Sequence, residues 1–319
     1  MNIVVLDGYT LNPGDLTWNG FSSIGDIKVY DRTEGKDIID RIGDAQFVLT
    51  NKTPLGEKEF AACPNLKYVG VLATGYNVVD VEAAKKRGVV VTNIPTYGTT
   101  AVSQFVFALL LELCHHVGHH SKRVSEGAWA DSPDFCFWDY PSMELYGKTI
   151  GIVGMGRIGH ATSIIAKGFG MKVLAYDAYV NKEFQKEGIE YVSLDELLQQ
   201  SDVVTLHCPL FKENTKMINK NTIAEMKDGA ILINTSRGPL IDEDDLFEAL
   251  ETKKLAGAAL DVLAVEPPKG QNRLTALDNC IVTPHIAWAP RESRSRLMNI
   301  AVENLKSFVG GEVVNCVSK

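Results

Sequence analysis

Three apolar runs late in the chain each hand over to one ionisable residue. Ala230-Ile231-Leu232-Ile233-Asn234-Thr235-Ser236 delivers Arg237, the run from Ala258 to Val265 delivers Glu266, and Cys280-Ile281-Val282-Thr283-Pro284 delivers His285. A guanidinium can clamp a carboxylate with two N–H groups. An imidazole can give and take a proton near neutral pH, and a carboxylate can hold that imidazole in one orientation. Each residue also has a plainer reading: Arg237 as a surface ion pair, Glu266 as a turn cap, His285 as a satisfied core histidine. The chemical reading requires the three runs to be neighbouring parallel strands, because their ends then share one edge of the sheet.

The stretch that would bring a cofactor to that edge runs from Lys148 to Gly159. Ile150, Ile152 and Val153 read as a buried strand that breaks at Gly154. The spacing Gly154-x-Gly156-x-x-Gly159 follows, then a helix over about 161–169, then a strand Lys172-Val173-Leu174-Ala175-Tyr176 closing on Asp177. Glycines there allow a tight turn and close backbone approach to a pyrophosphate, and the helix N-terminus favours the phosphate charge. Asp177 stands 18 residues after Gly159, where a carboxylate accepts hydrogen bonds from the adenosine ribose. Its charge repels a 2′-phosphate and no Arg or Lys follows until Lys182, so the pattern favours NAD over NADP.

Composition sets the class. The 319 residues suffice for two domains, with 45% hydrophobic and 23% charged residues, as in a soluble globular protein. A net charge of −8 and a pI of about 5.4 argue against nucleic-acid or anionic-membrane partners. The N-terminus meets Asp7 too early for a signal peptide, and the apolar run around Phe105–Leu113 is too short for a bilayer and carries Glu112. Six scattered cysteines (63, 114, 136, 208, 280 and 316) read as free thiols in a reducing cytoplasm.

Over residues 1 to about 95, candidate strands at Ile3–Leu6, Ile27–Tyr30, Phe47–Thr50, Tyr68–Val71 and Val89–Thr92 alternate with helical stretches, a βαβ rhythm that implies a parallel sheet. Ala73-Thr74-Gly75, past the fourth of these, reads equally as an anion-binding nest or as a plain strand-to-helix turn. A crossover at Ile94–Gly98 leads to one long helix over about 100–123. It carries His115, His116, His119 and His120, which read as a solvated or interface face, with no metal site expected. Residues 124–147 read as a protruding aromatic arm (Trp129, Phe135, Phe137, Trp138, Tyr140 and Tyr146) that packs on another subunit or on its own domain. His207 reads as structural. The tail over about 290–309 reads as one amphipathic helix returning to the first domain.

At Gly151–Gly159, at Ile233-Asn234-Thr235-Ser236-Arg237-Gly238-Pro239-Leu240-Ile241-Asp242, at Leu260-Asp261-Val262 through Glu266-Pro267, and at Thr283-Pro284-His285-Ile286-Ala287-Trp288, the chain resembles the D-isomer-specific 2-hydroxyacid dehydrogenases. The resemblance extends over almost the whole length, and the form Pro284–Trp288 is most similar to the glycerate dehydrogenase (hydroxypyruvate reductase) branch. It implies an α/β fold of two Rossmann-like parallel-sheet domains. A flavodoxin-like substrate (lid) domain would comprise 1–99 plus 287–319. A doubly wound dinucleotide-binding domain would comprise 100–286, with a dimerisation helix and arm over 100–147. Arg237, Glu266 and His285 would be catalytic, with Arg237 on the substrate carboxylate and His285, paired with Glu266, as acid and base. NAD would be held by Gly154, Gly156, Arg157, Ile158, Gly159, Asp177, Cys208, Pro209, Thr215, Thr235, Ser236 and Asp261. Substrate would meet Ala73, Thr74, Gly75, Arg237, His285 and Trp288.

The implied activity is reversible hydride transfer between NADH and a small 2-oxo acid, hydroxypyruvate or glyoxylate giving D-glycerate or glycolate, in a cytoplasmic homodimer whose domains close over the substrate. Formate dehydrogenases of this family place Gln where Glu266 stands, and regulated phosphoglycerate dehydrogenases carry a further C-terminal domain, so neither is expected. The alternatives are another 2-oxo acid such as pyruvate, or a non-catalytic NADH-sensing protein resembling the family's corepressors, which carry extra terminal segments for their partners.

Overall fold

The computed structural model describes residues 1–318, which divide into two compact units: Met1–Gly98 with the segment from Trp288 onward, and Thr99–Ala287. In the first unit β1 (Asn2–Val5), β2 (Asp26–Val29), β3 (Phe47–Thr50), β4 (Tyr68–Val71) and β5 (Val90–Thr92) form a parallel sheet of order β2-β1-β3-β4-β5. Both faces of β3 and β4 are buried, which is why they read as unbroken apolar runs. One face packs under the helices that end in the first 90 residues, around Ile38, Phe60 and Ala84. The other is covered by the helix Arg291–Val309, which buries Leu297, Met298, Ala301, Val302 and Leu305 against Phe47, Leu49 and Tyr68. Each of the larger of these side chains contributes about 1.5–3 kcal/mol. That helix is anchored at its start by Arg294, whose two Nη atoms donate to Asp15 at 2.8 and 2.6 Å.

In the second unit β6 (Thr149–Val153), β7 (Lys172–Tyr176), β8 (Glu190–Tyr191), β9 (Val203–Leu206), β10 (Ala230–Asn234), β11 (Leu255–Leu260) and β12 (Cys280–Val282) form a parallel sheet of order β12-β11-β10-β9-β6-β7-β8. One face is covered by the helices Thr99–His115 and Arg157–Gly168, the other by Leu194–Gln200 and Glu243–Glu251. Ser193 caps one of these helices in a reciprocal box with Glu196.

Two expectations are corrected. The long helix is interrupted at His116, which adopts the left-handed conformation (φ 48°), so that Thr99–His115 and Val117–Ser125 are bent by 56°. The Glu112 side chain reaches across the break to accept from the Gly118 N–H at 3.2 Å, replacing the helical bond lost there. No single described helix is long and apolar enough to cross a membrane, although this bent pair passes that test together. The run 258–265 is not one strand: β11 spans Leu255–Leu260 and the chain turns at Asp261. The apolar residues that misled the reading, Val262 and Leu263, are buried in the loop instead.

Candidate active site

Six strand ends of the second unit lie side by side on one edge, and each carries a residue singled out by the sequence. At the end of β6, Gly154 has φ 96°, and a Cβ there would collide with the Cys208 backbone past the end of β9. Gly156 is the N-cap of the helix Arg157–Gly168 and faces open space where a Cβ would stand. Gly159, one turn on, packs against the Gly154 carbonyl. Arg157 and Ile158 begin this helix, whose terminal N–H groups favour a phosphate. Asp177, past β7, accepts from the Met155 N–H at 2.7 Å and the Tyr179 N–H at 3.1 Å. Its carboxylate therefore sits on the glycine turn.

Past β9, the Cys208 carbonyl accepts from Ser236 Oγ at 2.6 Å and the Pro209 carbonyl from Asn214 Nδ2 at 2.8 Å. Thr215 is exposed, its hydroxyl donating to the Phe211 carbonyl. Thr235 Oγ1 is buried and is the one such side-chain atom among the described residues without a hydrogen-bond partner. A buried hydroxyl left unpaired costs about 1–3 kcal/mol, so Thr235 Oγ1 is available to a polar group of a ligand. With the open cradle at Gly156 and the acid at Asp177, the residues present fit a dinucleotide. Asp177→Ala should raise the ratio of NADPH to NADH efficiency by about 100-fold, through loss of charge repulsion and of ribose hydrogen bonds. Steady-state kinetics with both cofactors checks this, and an unchanged ratio removes Asp177 from the ribose site.

His207 directly follows β9 on this edge, its N–H donating to the Val153 carbonyl at 2.7 Å. Burial pushes its imidazole down to about 4, and Nε2 lies 3.0 Å from Thr205 Oγ1. The folded protein thus keeps His207 neutral, while the unfolded chain protonates it near the ordinary value of 6.5. Stability is fully retained above pH 6.5 and is lost as the pH falls from there toward 4, by about 3 kcal/mol. Denaturant titrations at pH 7 and 4.5 should show a smaller acid loss in His207→Asn than in the parent chain.

The β10–β12 ends carry the ionisable groups that the sequence singled out. Asn234 folds the β10 exit by accepting from the Ser236 N–H at 2.9 Å and donating to the Arg237 carbonyl at 2.8 Å. The exposed Arg237 side chain donates to the Ser236 carbonyl at 2.7 Å. Gly238 lies so close to the Leu263–Ala264 backbone that no side chain would fit, which presses the arginine loop onto the loop carrying Glu266. Glu266 Oε1 accepts from the Leu263 N–H at 3.0 Å, and Oε2 lies 2.6 Å from His285 Nδ1. A carboxylate only accepts, so Nδ1 carries the hydrogen in this pair and the ring is held in one orientation.

His285 sits at φ 54°, a conformation that needs support. Asp261 provides it. Its carbonyl accepts from the His285 N–H at 2.8 Å, and its carboxylate accepts from the Ile286 and Ala287 N–H groups, both at 2.8 Å, and from Thr283 Oγ1 at 2.7 Å. Burial pushes the Asp261 carboxyl up, and these hydrogen bonds oppose it. The sequence reading placed Asp261 among cofactor contacts. In the structure its carboxylate is buried and engaged in holding the histidine loop. The signal for this was an acid ending one strand beside a Thr ending the next.

In the first unit, the Ala73 carbonyl accepts from the Ile94 N–H at 3.0 Å and the Thr74 carbonyl from Asn93 Nδ2 at 2.8 Å, tying down one side of the 73–75 turn. Trp288 packs edge-on against Tyr97 at 6.2 Å. His119 and His120 engage the arm: His119 Nε2 lies 2.6 Å from Asp139 Oδ2, and His120 Nε2 accepts from the Asp139 N–H at 3.1 Å. Among the described residues, no three His, Cys, Asp or Glu side chains are grouped to hold a metal.

The family profile "D-isomer specific 2-hydroxyacid dehydrogenase, NAD binding domain" matches residues 107–287. A hydroxypyruvate reductase of Blautia hydrogenotrophica is 60% identical over 322 residues, covering all of both chains. A glycerate dehydrogenase of Methylorubrum extorquens is 39% identical over 99% of this chain and 98% of its own. The crystal structure of a D-lactate dehydrogenase from Aquifex aeolicus, complexed with NAD and lactic acid, superposes with a TM-score of 0.85 at 31% identity, over 100% of this chain and 99% of that one.

Proposed function

Since the chain belongs to the D-isomer-specific 2-hydroxyacid dehydrogenase family, we propose that it is the NAD-dependent enzyme that interconverts hydroxypyruvate and D-glycerate, and glyoxylate and glycolate. The observation that carries this is the 2.6 Å His285–Glu266 pair on the strand edge it shares with Arg237 and the glycine turn. The full-length likeness to a hydroxypyruvate reductase supports the choice of acid.

NADH, when bound, supplies the hydride that reduces C2 of the oxo acid. Arg237 binds the substrate carboxylate with paired N–H donors and draws negative charge toward the carbonyl oxygen. His285 donates its Nε2 proton to that oxygen as the charge develops. Glu266 keeps the ring in one orientation and offsets the imidazolium charge. Asp261 holds the loop that presents it. In the first unit, the backbone at Ala73-Thr74-Gly75 is assigned to the substrate carboxylate.

We also infer a homodimer in the cytoplasm. The arm exposes Trp129, Phe135, Trp138 and Tyr146, at 53%, 89%, 69% and 77%, aromatic surface of the kind that supports a contact with a second copy. NADH oxidation by the purified protein, with hydroxypyruvate, glyoxylate, pyruvate and phenylpyruvate in parallel, tests the function. Fastest turnover on hydroxypyruvate or glyoxylate is expected. Turnover confined to a bulkier acid would replace the substrate, and tight NADH binding without turnover on any acid would favour a sensor.

A further inference from the structure

We propose that Asp7 is a positioning residue for the substrate: its carboxylate fills the anion crevice of the first sheet and clamps the loop that steadies the 73–75 turn. This deepens the assignment of that turn above and rests on it. The order β2-β1-β3-β4-β5 reverses between β1 and β3. In open parallel sheets an anionic ligand binds at that reversal, beyond the strand ends. Here three successive N–H groups past β3 converge on the reversal, those of Asn51, Lys52 and Thr53. Such a cluster of N–H groups forms a concavity for an anion. The anion is supplied by the chain itself. Asp7 Oδ1 accepts from Asn51 at 2.7 Å, and Oδ2 accepts from Lys52 at 2.5 Å and from Thr53 at 2.8 Å.

The clamp is passed on to β4. The buried Asn51 side chain donates to the Leu72 carbonyl at 2.8 Å, immediately before Ala73. The Leu72 N–H donates to the Thr50 carbonyl at 2.8 Å, and Thr50 Oγ1 to the Thr53 carbonyl at 2.9 Å. Asp7 thus fixes one side of the 73–75 turn while Asn93 and Ile94 fix the other. With the crevice at the reversal filled, an incoming carboxylate is left the neighbouring strand end at β4. The device resembles that of Asp261, whose carboxylate holds two successive N–H groups of the histidine loop while its carbonyl holds the one before them. One aspartate orders the acid–base loop and the other orders the carboxylate-binding edge.

The 73–75 turn would hold the substrate carboxylate equally in the ground and transition states, so its disturbance acts on KM rather than kcat. Asp7→Asn keeps the shape but turns one acceptor into a donor facing N–H groups. It is expected to raise KM for hydroxypyruvate about tenfold or more, with kcat changed less than about threefold and NADH affinity retained. In Asp7→Ala, millimolar sodium formate should refill the nest and lower KM again, while sodium chloride should not. An unchanged KM in Asp7→Asn overturns the proposal. So does a fall in kcat with loss of NADH binding, which would mark general damage. If Asp7→Asn does not fold, Asn51→Ala cuts the tie to Leu72 and leaves the clamp. The same rise in KM is then expected, and an unchanged KM there is equally fatal. Absence of hydroxypyruvate turnover by the unsubstituted protein would instead remove the functional assignment, and this proposal with it.

Discussion

His285→Gln is expected to lower kcat for 2-oxo acid reduction by about 1,000-fold, within the range that positioned acid–base groups contribute. Glutamine can reach toward Glu266, but it holds no proton that it can release near neutral pH. NADH affinity should stay within about twofold, because no part of the glycine turn or of Asp177 depends on the imidazole. The left-handed backbone at 285 adds a folding cost of about 1 kcal/mol for a residue less tolerant of that conformation. Single-turnover kinetics at saturating NADH, with a thermal unfolding curve alongside, separates the two effects. Turnover within about tenfold of the parent would contradict the assignment of His285 as the proton donor.

Arg237→Gln should be of similar size but should act on KM as well as on kcat. Loss of the guanidinium removes the ground-state grip on the carboxylate and the charge that draws electrons toward the carbonyl oxygen, so KM rises and kcat falls together. A loss of about 1,000-fold in kcat/KM is expected. The informative partner is Arg237→Lys. An ammonium keeps the charge but cannot present two parallel N–H donors, nor can it donate to the Ser236 carbonyl and bind a carboxylate in one plane. Lysine should therefore restore less than about a tenth of the parent efficiency. Because Arg237 is exposed, either change should leave stability within about 0.5 kcal/mol. Recovery to within threefold by lysine would reduce the role of Arg237 to bulk charge.

Much of the site was legible because parallel strands announce themselves. Unbroken apolar runs gave β3 and β4 to the residue and β10 from its first residue to two beyond its last, and the ionisable residues after the late runs marked the shared edge of the second sheet. The glycine turn was legible because its spacing answers to one geometry, that of Gly154 at φ 96° and of a helix cap at Gly156. What the sequence hid depends on contacts between distant residues. The break at His116 rests on a carboxylate from the preceding turn reaching Gly118, within a pattern that is helical on both sides. The true end of β11 rests on Asp261 bonding to residues 22 or more positions later. Asp7 looked only like an early acid, since its partners lie 44 to 46 residues away, just past a strand that hydrophobicity alone does not pair with β1.

Arg237, Glu266, His285 and the whole glycine turn are drawn from Thr99–Ala287, whereas the loops at 51–53 and 73–75 are drawn from the N-terminal stretch. On the roles proposed above, the groups that move a proton and a hydride are written in one part of the gene, and the turn assigned to the substrate carboxylate in another. Descendants of such a chain can drift in the first hundred codons and acquire new diets without retraining the chemistry. Laboratory evolution aimed at a different acid should concentrate its diversity there and leave the second part untouched.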